Sequence, residues 1–159
     1  MKNWLSKENN SEYKRALKNS FPKELGEQLN EVFKVIPFNT TKIKNFYNQE
    51  YDISGVVSED SFDVLLDREK VTIPYRVYFS RPIIKKETNL NQVQKDIINS
   101  IYTRHHNGKI RQESLEKLKN NNSYWTTPFR VQLLGEYVYE IYETLSCLLY
   151  TSPSPRDRG

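Results

Sequence analysis

The 159-residue chain is short of several things. It holds one cysteine, so no disulfide can close within it. Five glycines exclude a collagen repeat, and no glycine-rich phosphate loop is present. No window approaches the roughly 18 apolar residues of a membrane span. The first residues, MKNWLSKENNSEYKRALKN, lack the apolar core of a secretory leader. The expectation is a cytoplasmic protein without membrane contact. Its two histidines, His105 and His106, are adjacent, so neither the helical His pair of a zinc site nor a cysteine partner exists. A nucleophile elbow and a calcium-loop pattern are also missing. We therefore expect no cofactor and no metal, and these absences weigh against an enzyme while leaving that question open.

Aromatic residues are generous at 13%, including 11 Tyr, which argues against a chain disordered throughout. Against 24 Lys+Arg stand 20 Asp+Glu, giving +4. The basic residues are scattered, as on a solvated surface.

Periodicity predicts an α+β fold in one domain. Ser11 can cap a helix to about Asn19 carrying Tyr13, Ala16 and Leu17 on one face. After Pro22, Leu25, Leu29, Val32, Phe33 and Ile36 form an apolar stripe that Pro37 ends. Phe62, Val64 and Leu66, then Val71, Ile73, Tyr75, Val77 and Phe79, alternate with their neighbours. That is a hairpin with one buried face, turning at Asp67 to Lys70. Pro74 calls for an open edge or a bulge, and Ile53 to Val57 offers a third strand. Asn89 can cap a helix carrying Leu90, Val93, Ile97 and Ile101. A polar turn, Arg104-His105-His106-Asn107-Gly108, leads to a helix from Lys109 to Lys119 with Ile110, Leu115 and Leu118 inward. Thr127 as cap and Pro128 in the first turn open a last helix striped by Val131, Leu134, Val138, Ile141 and Leu145.

Three strings, IPYRVYF (73–79), YTRHHNGKIRQ (102–112) and PFRVQLLGEYVYEIYE (128–143), resemble segments of a bacterial protein family without assigned activity. Asn107 to Leu118, NGKIRQESLEKL, is similar to the second helix of a HEAT repeat: Ile110-Arg111 and Leu115 match, while Ser114 stands where Ala is commoner. That likeness implies a scaffold for binding protein or nucleic acid. Cys147 to Asp157, CLLYTSPSPRD, resembles a translated sequencing adapter. It implies a native domain of residues 1–146 followed by a non-native tail, 147–159.

Candidate binding residues gather at the polar turn. Arg104, His105, His106 and Lys109 around Gly108 can form an anion site at the start of the following helix. Adjacent side chains on a turn point apart, which argues against one shared metal. Glu136, Glu140 and Glu143 share a face of the last helix, and its extra aromatics, with Tyr139 among them, suit a partner surface. The leading expectation is a protein-interaction module whose contact surface joins Arg104, His105, His106, Lys109 and Arg111 to Glu136 and Tyr139. A second is a nucleic-acid binder in which Lys109, Arg111 and Gln112 open a reading helix. The third is an enzyme acting on a phosphorylated small molecule through His105 or His106.

Overall fold

The computed structural model describes residues 2–38, 42–44, 48–52 and 56–135; for 2–9, 42–44 and 50–52 it describes the backbone alone. The fold is α+β. Helix α1 (Lys2–Lys18) is followed by a 3-10 turn (Lys23–Leu25) that runs into α2 (Gly26–Val35). Strands β1 (Lys42–Lys44) and β2 (Glu50–Asp52) make one antiparallel pair, and β3 (Ser61–Leu66) and β4 (Glu69–Pro74) another. Then come α3 (Ile84–Glu87), α4 (Gln92–Tyr102) and α5 (Gly108–Lys117). A 3-10 turn (Tyr124–Thr126) leads into α6 (Thr127–Val131).

Ser11 does not cap α1. The helix is already formed at Lys2 and passes through Ser11, because no proline or glycine interrupts residues 2–18. The α2 stripe is as expected: Leu25, Leu29, Val32, Phe33 and Ile36 are all buried. At α4 the cap falls on Asn91, not Asn89. Asn91 accepts from the Gln94 backbone N–H at 2.9 Å, and the Gln94 side chain accepts from the Asn91 N–H at 3.0 Å. Asn89 has Gln92 at the same spacing, but the capping box forms at Asn91, with Gln94 as its second half. Gln28 of α2 accepts from both side chains, at 3.2 and 2.9 Å, and so fixes the start of α4 against α2. The buried face of α4 is Ile97, Ile98, Ile101 and Tyr102, while Val93, expected inside, is exposed.

The β3–β4 turn is tighter than expected. Asp67 and Arg68 alone form it, with φ of 44° and 68°, and Glu69 and Lys70 pair with Leu66 and Leu65 in the ladder. Two central residues at positive φ match the twist of the flanking strands. Arginine is poorly suited to that backbone. Arg68→Gly is therefore expected to raise stability by about 0.5–1 kcal/mol in chemical denaturation; an unchanged or lower value would show that the turn carries no strain.

Pro74 closes the β3–β4 ladder opposite Ser61. The outer edge of β4 is not open. The Thr72 N–H donates to the Asn19 carbonyl at 2.8 Å, and Ser20 Oγ donates to the Thr72 carbonyl at 3.0 Å. Beyond Pro74 the alternation keeps its phase, with Val77 and Phe79 buried as expected, and Tyr75 alone leaves it, exposed. Of the expected third strand, 53–55 lie outside the described residues. Val57 makes an antiparallel bridge to Val77, and Tyr78 N–H donates to the Val56 carbonyl at 2.8 Å.

Two aromatic clusters join the layers. Phe21 stacks on Phe129 at 4.9 Å and meets the edge of Trp125 at 5.8 Å. Phe79 lies between Phe38 at 5.3 Å and Tyr102 at 5.6 Å. The Phe21–Phe129 contact sets the phase of the last segment. Phe129 and Leu133 are buried there, while Val131 and Leu134 of the expected stripe are exposed. Thr126, not Thr127, precedes α6, with Pro128 in its first turn. Val138, Ile141 and Leu145 lie outside the described residues.

Candidate functional site

The polar turn between α4 and α5 is stitched to the segment after β4. Val77 N–H donates to the Arg104 carbonyl at 2.9 Å, and His106 N–H donates to the Val77 carbonyl at 3.0 Å. This parallel bridge turns the His105 side chain into the core, 3% exposed. Its Nε2 lies 3.1 Å from the Phe79 carbonyl, and its Nδ1 accepts the Asn107 N–H at 3.0 Å. A carbonyl only accepts and an N–H only donates, so the two partners assign the proton to Nε2. Burial, then the neighbouring His106, push the His105 pKa down to about 4, with the Phe79 carbonyl opposing.

His106 is half-buried. Its ring stacks on Tyr78, centroids 5.5 Å apart, and lies only 4.3 Å from the ring of His105. The expectation that these side chains point apart is therefore wrong: the bridge to Val77 holds both rings in one stack. Burial lowers the His106 pKa too, against the pull of the Val77 carbonyl. No cluster of three or more His, Cys, Asp or Glu suited to a metal occurs among the described residues.

Arg111 is buried, and its Nη1 donates to the carbonyls of His105 at 2.8 Å and His106 at 2.9 Å. These carbonyls follow the end of α4, where the chain has lost its helical donors. Arg104 is 1% exposed, the largest of the fully buried side chains. Lys109 is exposed, and its backbone N–H is taken by the Asn107 side chain at 2.9 Å, which caps α5. The expected anion site is thus not assembled: Arg104 and His105 are interior, Lys109 is outside, and the cap already uses a first-turn N–H. Burial equally removes Arg104, His105 and Arg111 from a contact surface. Glu136 and Tyr139 lie outside the described residues.

Two surface features were missed in the sequence. The first is an open groove of about 610 Å³ between α1 and α2, lined by Asn10, Ser11, Lys14, Arg15, Lys18, Asn30 and Phe33. Among the described residues no carboxylate pairs with Lys14 or Lys18; Lys14 Nζ sits 5.8 Å from the Phe38 ring centre, and Arg15 meets Glu12 at 4.0 Å. The sequence signal was the i, i+4 pair Lys14 and Lys18 on the expected helix, which reads as scattered charge until α2 packs beside it and brings Asn30 and Phe33 to the same groove.

The second is an open surface hollow of about 340 Å³ between α3, α4 and α5, lined by Ile84, Glu87, Thr88, Gln92, Lys95, Asn99 and Lys117. Glu87 Oε1 receives Arg81 at 3.4 Å and Lys117 at 3.6 Å, while Arg81 also reaches Glu113 at 3.2 Å and covers the Tyr102 ring at 5.4 Å. Asn99 is buried; its Nδ2 donates to the Lys95 carbonyl at 2.7 Å, but its Oδ1 finds no donor among the described residues. A buried acceptor left unmade costs about 1–3 kcal/mol.

Compared with protein-family models, with curated proteins and with solved structures, the chain matches none. Among the described residues, no helix is long and apolar enough to cross a membrane.

Proposed function

We propose that the protein is a non-enzymatic macromolecule-binding module whose partner is an acidic protein segment seated in the groove between α1 and α2. The observation that carries this reading is the set Lys14, Arg15 and Lys18 on one open wall, with Asn10, Ser11 and Asn30 to bond a peptide backbone. The HEAT-like character of Asn107 to Leu118 supports a binding scaffold, and the polar composition supports a cytoplasmic setting. The interior position of His105 argues against acid–base chemistry at the turn.

A nucleic acid is the competing occupant, and two features disfavour it. Three cations neutralise about three phosphates, which gives a salt slope of only about −2 on a single strand. The groove's Phe33 is buried, so it offers no open face on which a base can stack. Nor does α5 suit a reading helix, because Arg111 is committed to the His105 and His106 carbonyls.

Fluorescence anisotropy with a glutamate-rich peptide and a poly-dT oligonucleotide of equal charge separates the readings. The peptide is expected to bind more tightly, and Lys14→Glu with Lys18→Glu to weaken it by about tenfold or more. Tighter binding of the oligonucleotide, or unchanged peptide binding by the variant, would overturn the proposal.

A further inference from the structure

We propose that the outer edge of β3 is a self-association surface, on which β3 of a second copy pairs antiparallel across a two-fold axis. This surface is separate from the α1–α2 groove and does not depend on its assignment.

The free edge follows from the hairpin's own hydrogen bonding. Directly opposite residues of an antiparallel pair either bond each other or both turn their main-chain groups away. Asp63 stands opposite Thr72, whose N–H and carbonyl are spent on Asn19 and Ser20 at the outer edge of β4. Asp63 therefore aims its own N–H and carbonyl to the far side of β3, and Ser61 and Leu65, two positions away, do the same. Among the described residues nothing bonds to that side, and β3 pairs with β4 alone. Uncovered edges are usually guarded by proline, lysine or a bulge. The strand SFDVLL holds neither residue, and its ladder with β4 is unbroken. Its one charge, Asp63, is already held by Lys70 at 2.8 Å and Thr72 at 2.7 Å. Leu65 on the same face is 70% exposed.

Charge and face select one register. A two-fold axis on Asp63 sets two carboxylates face to face, and an axis on Leu65 sets Asp63 against Asp67 of the copy. An axis on Val64 avoids both, and axes nearer either end pair fewer residues. Val64 then meets Val64, and Phe62 meets Leu66 of the copy. These three are the half-buried face packed on the core, so the apolar layer continues across the axis. Asp63 and Leu65 exchange main-chain bonds with Leu65 and Asp63 of the copy. Just beyond the strand ends, Asp60 falls opposite Arg68 of the copy, once on each side. Among the described residues neither has an ion-pair partner of its own. Because Asn19 and Ser20 close the edge of β4, the four-stranded sheet ends on both sides and the assembly stops at a dimer.

Sedimentation equilibrium and amide hydrogen exchange of the full chain test this. A reversible dimer with Kd of about 10–100 μM is expected, as suits a contact below standard interface size. Exchange of the Asp63 and Leu65 amides should slow as concentration rises, while the Val64 and Leu66 amides, which face β4, should not change. Leu65→Pro removes an outward N–H without costing the hairpin a bond, and is expected to abolish the dimer. Asp60→Lys and Arg68→Glu should each weaken it about fivefold or more, and mixing the two variants should restore it, since each then meets its opposite charge. A monomer at millimolar concentration, or exchange at Asp63 and Leu65 indifferent to concentration, would overturn the proposal. Failure of the mixture to recover would overturn the register, and species larger than a dimer would overturn the closed arrangement.

Discussion

Replacing Arg111 with methionine is expected to destabilise the protein by about 3–5 kcal/mol. Methionine keeps much of the apolar stem, so the loss isolates the guanidinium. One nitrogen, Nη1, serves the carbonyls of both His105 and His106. Each bond is charge-assisted and removed from water, and removing the donor leaves two acceptors stranded. The damage would spread along the chain. The same turn returns the Arg104 carbonyl and the His106 N–H to Val77, so loosening it also detaches the strand-like segment after β4. Urea denaturation followed by far-UV circular dichroism checks this at neutral pH. Lys109→Met, two residues away on the exposed side of α5, is the control and should stay within about 0.5 kcal/mol of the parent. A loss below about 1 kcal/mol for Arg111→Met would show that the turn is held by something else.

That role explains why a structural turn read as a candidate site in the sequence. Arg104 to Lys109 is a polar run, and polarity alone reads as a solvated turn. A buried turn has the same composition when its polar groups are satisfied by main-chain partners. Those partners are distant: Phe79, whose carbonyl meets His105, lies 26 positions upstream. No local pattern reports such a pairing. The α1–α2 groove and the α3–α4–α5 hollow were illegible for a related reason. Asn30 and Lys14, or Ile84, Lys95 and Lys117, become neighbours only when separate elements pack.

Where period and packing agreed, the sequence was enough. The stripe from Leu25 to Ile36 and the alternation from Phe62 to Ile73 bury the residues expected of them in whole or in part. The misses occur where a specific contact overrode a pattern. The capping box moved the start of α4 from Asn89 to Asn91. Phe129 on Phe21 rotated the last described segment away from the Val131–Leu134 stripe. Pro74 ended the ladder and put Tyr75 outside. Each is a case of tertiary contact or backbone chemistry prevailing over periodicity.

Acidification is expected to remove about 3 kcal/mol of stability through His105 alone. An unfolded imidazole takes up its proton near pH 6.5, whereas the buried ring resists until about 4. Between those values the unfolded chain binds more protons than the native one, so stability falls as pH falls. The contribution is complete above about 6.5 and exhausted near 4. His106 is shifted in the same direction and adds to the loss. The carboxyl of Asp63 is held below its ordinary value by the Lys70 and Thr72 hydrogen bonds, and a variant is needed to separate His105 from the other carboxylates. His105→Gln supplies the comparison, since its amide can still donate toward Phe79 but cannot titrate. Urea titrations at about pH 7, 5.5 and 4.5 should show the parent losing stability steeply and the variant shallowly, with the two curves converging at the acid end. Parallel curves would transfer the acid sensitivity to other groups. The same shift bears on function: a ring that protonates near 4 carries a proton in about one molecule per thousand at pH 7. With its Nε2 proton committed to the Phe79 carbonyl, His105 has neither the charge nor the access to act as a general acid.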